Sequence, residues 1–383
     1  REVLITGHLD HPKWSANDNA SGSGAMMEAA RVLQTLIATK KLAAPKLTLH
    51  FMWVPEYFGT LAYVTNHPET RPCGNFYETP NNGPQCVLAN INMDMVGEDT
   101  VKTNSRFYFT RTPDSVPFFI NAVLSDVLQQ TREADLYAQT GTRNYWQPEG
   151  IPYVQGSDHD VFLGLGIPAT MLGHDPDWTH HTSEDRIDKT DASEFRRVGA
   201  FASAAAWFMA TADAQSWKRV RVGAYADRVA ELAHRLGQDS ASDAAVKRVL
   251  KNRGEFSAQS DRLESLTPQA GPARASAQTS AAAQNGPQRQ TILPLDASVF
   301  ENVTPDEKKW LAEQEARFAS DSEGLPTSPN FALISFEALN FMNGRTSTAE
   351  IADLLSAEYL VDIDQAWVDR LVSILEKQKL VAK

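Results

Sequence analysis

Hydrophobic and polar positions follow two patterns along roughly the first half of the chain. Short apolar runs, bounded by polar or turn-forming residues, have the length and composition of buried β-strands. Between them, apolar residues recur every three or four positions, which predicts amphipathic helices. The predicted strands are 3–6, 47–54, 87–93 and 169–172, and the predicted helices are 24–38, 117–130 and 191–212. This alternation predicts an α/β fold, a sheet flanked by helices.

The pattern changes after residue 212. A helical stretch follows over 217–251, and residues 266–290 are then rich in Pro, Ala, Ser and Gln, which is typical of a flexible linker. Helical spacing returns and ends in a short apolar run, an order that favours a small helical domain of winged-helix type. We therefore predict an α/β domain (1–212), a helical extension (213–260), a flexible linker (261–292) and a winged-helix-like domain (293–383).

Composition and charge narrow the classes of function. Hydrophobic residues make up 42% and charged residues 22% of the chain, as in globular proteins, and no apolar run reaches the roughly 20 residues that span a bilayer. The formal net charge of −12 argues against nucleic-acid binding, which requires clustered Lys and Arg. The region 293–383 is itself rich in Asp and Glu, so we expect it to contact protein or to form a homo-oligomer.

The two cysteines give information about the cellular compartment in which the protein works. Cys73 and Cys86 bracket a loop rich in Gly, Pro and Asn, and the sequence leaves open a disulfide, two free thiols or metal ligation. A disulfide requires an oxidising compartment. The first predicted strand has no strand before it with which to pair, so we expect a preceding portion, with a signal peptide, to be missing. These features favour an extracytoplasmic protein, periplasmic or secreted.

Candidate ligands lie where predicted strands end, the edge at which open α/β sheets bind their ligands. His8 and Asp10 end the first strand; His8 is a candidate metal ligand, and Asp10 is expected to accept a hydrogen bond from its other ring nitrogen. Asp18 follows in a polar, glycine-rich turn that leads into a helix. It is either a metal ligand or a helix cap.

Three further elements contain chemically useful residues. Glu56 ends the strand at 47–54 beside a proline, where partial burial would raise its pKa towards the range useful for proton transfer. Asp94 interrupts an apolar run, and a buried carboxylate is costly unless it is paired or bound to metal. The pair His180 and His181 lies in a loop after the strand at 169–172.

These elements, in this order, resemble the M28 family of zinc aminopeptidases and carboxypeptidases over about residues 2–212. The resemblance implies an α/β sandwich around a mixed, mostly parallel sheet, with two zinc ions. It implies His8 and Asp94 as ligands of one zinc, Asp18 as the bridge and His181 as a ligand of the other. Glu56 becomes the general base towards a metal-activated water. Residues 156–162 resemble the Ser-Asp-His-x-x-Phe signature that lies near the pocket of family members.

The chain departs from the family pattern at two positions. Tyr57 stands where the family has a second glutamate, a zinc ligand; it is either a phenolate ligand or a contact to substrate, and otherwise another carboxylate or a single-metal site is needed. His180 stands where several members have a tyrosine that donates a hydrogen bond to the tetrahedral intermediate. It is either a catalytic residue in that role or an exposed loop histidine. A Pro-Glu-x-x-Gly segment with a winged-helix appendage marks the family subset that this chain resembles most.

The resemblance predicts a metallo-exopeptidase with peptide substrates. An aminopeptidase is favoured, since an acidic group near the zinc binds the free α-amine in the family. Glu98 and Asp99, just after Asp94, are the candidates for that group, unless they belong to a solvated loop. Two alternatives remain: a glutaminyl cyclase with one zinc, and a degenerate member that binds peptide without catalysis.

Overall fold

The structure is a computed structural model, and it divides into two compact units. Residues 1–112 and 116–216 form unit 1, and residues 113–115 and 217–383 form unit 2. The described residues are 1–73, 86–116, 119–213, 215–217, 219–220, 223, 286–292, 294–295, 297–300, 302–318 and 329–382. Most of the predicted helical extension (213–260) and linker (261–292) falls outside the described residues.

Unit 1 is built on a six-stranded sheet with the order β2-β1-β3-β6-β4-β5. β1 lies between β2 and β3 and is parallel to both; β3 is parallel to β6, and β4 is antiparallel to β6. The strands are β1 (Glu2–His8), β2 (Thr48–Val54), β3 (Val87–Met93), β4 (Arg106–Thr110), β5 (Glu149–Ile151) and β6 (Ala169–Asp175). The sheet is mixed and mostly parallel, which confirms the predicted fold class.

Helices pack on this sheet through apolar faces. Leu33, Val123 and Phe201, from three different helices, are buried together with nearly all of β1 and β3. The helices are α1 (Gly22–Ala38), α2 (Phe58–Asn66), α3 (Thr100–Thr103), α4 (Phe119–Glu133), α5 (His159–Gly164) and α6 (Ala192–Thr211). None of the helices in the described part of the chain is long and apolar enough to cross a bilayer.

Parallel pairing brings the ends of three strands to one edge of the sheet. In the register of β1 with β2, His8 lies opposite Val54, and in that of β1 with β3, Thr6 lies opposite Asn92. Glu56 and Asp94 each follow these partners by two residues. The candidate ligands of three separate sequence segments therefore meet at the carboxyl edge of the sheet.

A disulfide joins Cys73 to Cys86, just before β3. Of the disulfide, the free thiols and the metal ligation that the sequence leaves open, the structure has the disulfide. The loop at 74–85 lies outside the described residues. Cys73 also donates its backbone N–H to the carbonyl oxygen of Val87. The bridge thus holds the approach to β3 beside the first residue of that strand.

Unit 2 is mainly helical. Its helices are α7 (Pro305–Arg317), α8 (Phe331–Phe341), α9 (Thr348–Tyr359) and α10 (Gln365–Lys377), and β7 (Gln288–Arg289) pairs antiparallel with β8 (Val381–Ala382). Ile334, Leu355 and Leu371 are fully buried in its core. A helical C-terminal domain with a short strand agrees with the prediction, but α7, which begins with a Thr304–Glu307 capping box, was not predicted.

Candidate metal centre

The first set of candidate ligands surrounds the ring of His8. Its Nε2 lies 3.1 Å from Oδ1 of Asp18 and 3.2 Å from Oδ1 of Asp94, and all three residues are buried. The carboxylate of Glu56 joins them, because ligand atoms of His8, Glu56 and Asp94 lie within 4.8 Å of one another. Four of the predicted site residues therefore converge on one point.

A second set surrounds the other oxygen of Asp18. Oδ2 of Asp18 lies 3.2 Å from Nε2 of His181, 3.3 Å from Nε2 of His11 and 3.6 Å from Nε2 of His180. The ligand atoms of His11, Asp18 and His181 also lie within 4.8 Å of one another. The two oxygens of one carboxylate thus face two separate sets of donors, which is the arrangement of a ligand that bridges two cations.

The buried carboxylates of this site need positive charge nearby. Burial lowers the pKa of His8, but the carboxylates of Asp18 and Asp94 outweigh that effect and raise it to about 11. Burial raises the pKa of Glu56 to about 8, and the charge of Asp94 adds to the rise. In the part of the chain that the structure describes, histidines are the ion-pair partners of Asp18 and Asp94. Buried carboxylates surrounded by imidazoles suit a divalent cation. The cation would replace the protons that His8 and Glu56 hold at neutral pH in its absence.

Asp185 fixes the turn that presents Asp18. Its carboxylate accepts hydrogen bonds from the backbone N–H groups of Ala16, Asn17 and Asp18, at 3.1, 2.7 and 2.9 Å, and from the hydroxyl of Ser15. Asp185 is buried and lies four residues after His181. One carboxylate therefore ties the loop that carries His181 to the turn that carries Asp18.

The two asparagines beside Asp18 attach the same turn to the segment after β3. Asn17 accepts a hydrogen bond from the N–H of Gly97, and Asn19 accepts one from Met95 and donates to the carbonyl oxygen of Met93. At Gly22, a Cβ atom would lie 2.1 Å from that same carbonyl oxygen. The polar, glycine-containing turn is thus explained by close contact with the chain around Asp94.

Asp10 differs from its predicted role. Nδ1 of His8 donates to the backbone carbonyl oxygen of Asp10 at 3.0 Å and lies 3.6 Å from the carboxylate. The carboxylate instead accepts the backbone N–H of Glu56 at 2.7 Å. The role differs because the carboxylate is engaged by the main chain of Glu56, which leaves the carbonyl oxygen of Asp10 as the partner of the ring. Because a carbonyl can only accept, His8 still presents Nε2 to the cluster.

Tyr57 points away from the cluster. Its hydroxyl donates to Oδ2 of Asp160 at 2.5 Å, and burial, reinforced by the charge of Asp160, raises the pKa of the phenol. A phenolate ligand is therefore disfavoured, and the hydroxyl is already engaged within the protein rather than free for substrate. At the position where the family pattern has a second glutamate, this chain has a hydroxyl that is hydrogen-bonded to Asp160.

Ser157 and Asp158 form hydrogen bonds to residues of the site and to their neighbours. Ser157 donates its hydroxyl to Oδ2 of Asp94 at 2.6 Å. Asp158 accepts the backbone N–H of Tyr57 and the hydroxyl of Thr60, each at 2.7 Å. The segment that resembles the family signature therefore orients Asp94 and fixes the turn of Glu56.

Glu98 and Asp99 are both buried, so they do not belong to a solvated loop. Asp99 caps α3 by accepting the N–H groups of Val101 and Lys102. This cap uses its carboxylate and removes it as a candidate for binding a substrate amine. Burial raises the pKa of Glu98 to about 7, and the charge of Asp177 adds to the rise, so Glu98 is a weak source of fixed negative charge near neutral pH.

The rings of His180 and His181 pack against one another, with centroids 3.7 Å apart and planes tilted by 31°. The side chain of His181 is 68% exposed, and its backbone has a φ of 58°, a left-handed conformation that residues other than glycine rarely adopt. Nε2 of His180 lies 3.6 Å from Oδ2 of Asp18, and its catalytic role stays a prediction. Both histidines are accessible to solvent.

Two residues of the site were not found from the sequence. His11, three residues after His8, could have been noticed as a second histidine in the same loop. Asp185 could have been noticed only as one more acidic residue after His181. The role of each depends on contacts with distant segments, which short-range patterns do not record.

Solved structures that resemble this chain share little sequence identity with it. The zinc aminopeptidase BSAP from Bacillus subtilis has 20% identity and a TM-score of 0.42, over 55% of this chain and 47% of that chain. The aminopeptidase from Aneurinibacillus sp. strain AM-1 has 21% identity and a TM-score of 0.40, over 55% of this chain and 44% of that one. The glutaminyl cyclase of Macrostomum lignano has 15% identity and a TM-score of 0.40, over 54% and 66%. The chain spans about half the length of the two aminopeptidases.

No curated protein matches the chain. The sequence model described as Peptidase family M28 matches residues 1–206, more than half of the 383 residues, and covers all the elements of the site. The chain therefore belongs to the M28 family of peptidases.

Proposed function

We propose that this protein is a zinc-dependent aminopeptidase in which Asp18 bridges two metal positions and Glu56 is the general base. The proposal rests on the two oxygens of the Asp18 carboxylate, which face different donors. Oδ1 faces His8, which also contacts Asp94, and Oδ2 faces His181 and its histidine neighbours. Imidazole nitrogens and carboxylate oxygens are ordinary zinc ligands. His8, Asp18 and Asp94 would hold one ion, and Asp18 and His181 would contribute to the other.

Zinc supplies a Lewis acid that polarises a carbonyl group and lowers the pKa of water towards neutrality. The protein itself must then move a proton. Glu56 takes the proton of the attacking water on its carboxylate and returns it to the nitrogen of the leaving amine. In this proposal His180, whose Nε2 lies 3.6 Å from Oδ2 of Asp18, donates a hydrogen bond to the oxygen on which negative charge develops.

Glu56 is close enough to His8 and Asp94 to act as either a ligand or a base. The role of base is favoured because Asp18 and Asp94 already supply carboxylate oxygens around His8, and because Asp10 and Asp158 fix the main chain around Glu56 independently of any metal. A base that is held by the protein stays in place when the metal coordination changes during a reaction.

The surroundings of the site favour peptides with large apolar residues. Trp14 lies three residues after His11 in the sequence and is 98% exposed, and Leu9, Phe58 and Trp178, which adjoin other site residues in the sequence, are exposed as well. Exposed apolar side chains around a polar centre mark a binding surface. The disulfide between Cys73 and Cys86 further supports a protein that works outside the cytoplasm, in the periplasm or secreted.

The test combines catalysis with metal content. The zinc-loaded protein should hydrolyse amino-acid p-nitroanilides, with leucine and phenylalanine derivatives preferred. Glu56→Gln should lower kcat by about 10²- to 10⁴-fold, the usual contribution of a general base, with zinc content unchanged. Glu28→Gln, on the exposed face of α1, is the matched control and should retain full activity.

Each departure from this result has a defined meaning. Loss of zinc from Glu56→Gln would make Glu56 a ligand, and full activity would remove it from the mechanism. Release of ammonia from peptides with N-terminal glutamine, without p-nitroanilide cleavage, would indicate a glutaminyl cyclase. Zinc binding without any turnover would indicate a protein that only binds peptide.

A further inference from the structure

His11 has a buried ring nitrogen with no hydrogen-bond partner. Its Nε2 is shielded from solvent and makes no hydrogen bond within the described residues, although it lies 3.3 Å from Oδ2 of Asp18. Its other nitrogen, Nδ1, donates to the backbone carbonyl oxygen of Lys13 at 3.2 Å. A buried polar atom without a partner is costly, so its orientation calls for an explanation.

We infer that His11 is a protein ligand of the second metal ion and takes the place of the glutamate that this chain lacks at Tyr57. The inference rests on the proposed function, since it assigns a residue to a metal position of that site. The bond from Nδ1 to the carbonyl of Lys13 places the ring proton on Nδ1 and leaves the lone pair on Nε2. Metal-bound histidines are oriented by this kind of outer hydrogen bond.

The set of donors is complete with His11 and incomplete without it. Nε2 of His11, Nε2 of His181 and one oxygen of Asp18 lie within 4.8 Å of one another and would form three protein ligands. Three protein ligands with one position left for water or substrate is the usual arrangement of a catalytic zinc site. Without His11, the three-residue set among the described residues is reduced to Asp18 and His181, since the hydroxyl of Tyr57 is engaged with Asp160. His180 lies farther from Asp18, at 3.6 Å, and does not belong to that set.

An imidazole in place of a carboxylate also changes the charge and the metal preference of the second metal position. The second position then has two imidazoles and one shared carboxylate oxygen, so it bears one negative charge fewer than a site with glutamate. Imidazole donors favour zinc and cobalt over magnesium and manganese. We expect the second position to discriminate strongly against the two harder cations.

The test measures metal binding directly. Metal-free wild type, His11→Ala and His181→Ala are titrated with Co²⁺, followed by its visible absorption, and zinc per chain is determined by elemental analysis after dialysis. Wild type should bind two ions, and His11→Ala and His181→Ala should each bind one. His67→Ala, whose ring lies beside Glu69 and Tyr63, is the matched control and should bind two. Thermal unfolding of each metal-free variant verifies that it is folded.

The outcomes separate the inference from the proposed function. Two ions in His11→Ala, bound as tightly as in wild type, would overturn the inference and reduce His11 to an ion-pair partner of Asp18. One ion in wild type, unaffected by His11→Ala, would also overturn it while leaving a metallopeptidase with a single ion. The absence of any bound metal in wild type would refute the proposed function itself.

Discussion

Replacing Asp185 with asparagine tests how the turn of Asp18 is held. The carboxylate accepts four hydrogen bonds: Oδ1 from Ala16 and Asn17, and Oδ2 from Asp18 and Ser15. Asparagine keeps one acceptor and turns an N–H₂ group towards the other two donors. The Ser15 hydroxyl can rotate to accept, but at least one backbone N–H loses its partner. Since a hydrogen bond to a charged group contributes about 1.5–3 kcal/mol and an unsatisfied buried donor costs about 1–3 kcal/mol, we expect a local destabilisation of about 3 kcal/mol.

Amide hydrogen exchange reports on this turn directly. In the metal-free protein, a peptide spanning residues 15–24 contains the three amides that Asp185 accepts, and 3 kcal/mol corresponds to exchange about 100-fold faster. Asp188→Asn is the control, because the carboxylate of Asp188 is exposed and pairs with the neighbouring Arg186 and Lys189. Zinc affinity should fall in parallel by about 10- to 100-fold, as is usual when an outer partner of a ligand is lost. Exchange in Asp185→Asn no faster than in Asp188→Asn would refute the proposed role.

Two further predictions concern stability. Replacing both Cys73 and Cys86 with serine should cost about 3 kcal/mol, because the bridge closes a loop with a sequence separation of 13; equal urea midpoints for oxidised and reduced wild type would contradict this. In unit 2, Lys377 and the backbone N–H of Thr304 lower the pKa of Glu307 from 4.5 to about 2. Because the folded pKa lies below the unfolded one, this stabilisation is complete above pH 4.5 and is lost as the pH falls towards 2. The difference in Tm between wild type and Glu307→Gln should therefore shrink from pH 7 to pH 3, and a constant difference would argue against it.

Hydrophobic periodicity was sufficient for the central part of the fold. β3 begins and ends at the predicted residues, and α1, α4 and α6 lie within a few residues of their predicted bounds. β4 and β5 were missed because they are short: β5 has three residues, one of them glycine, and its pairing with β4 rather than its own sequence makes it a strand. α7 was missed because its surface is largely polar and its start depends on a capping box.

The candidate site was predictable where sequence position determines spatial position. His8, Glu56 and Asp94 follow three parallel strands, so their meeting follows from the order of the sheet. Long-range contacts decided the rest: Asp185 reaches a turn almost 170 residues earlier, and the hydroxyl of Tyr57 is bound by Asp160. Asp10 was assigned to the correct histidine, but the choice between its carbonyl and its carboxylate depends on the exact path of the chain.

The two sides of Asp18 differ in how their donors are anchored. His8 ends β1 and Asp94 directly follows β3, so the hydrogen bonds of the sheet hold both, whereas His11 and His181 lie on loops and the ring of His181 is mostly exposed. On the proposed assignment, an ion held by His8 and Asp94 would exchange more slowly than an ion held by His11 and His181. Turnover would then rise and fall with the concentration of free zinc around the protein.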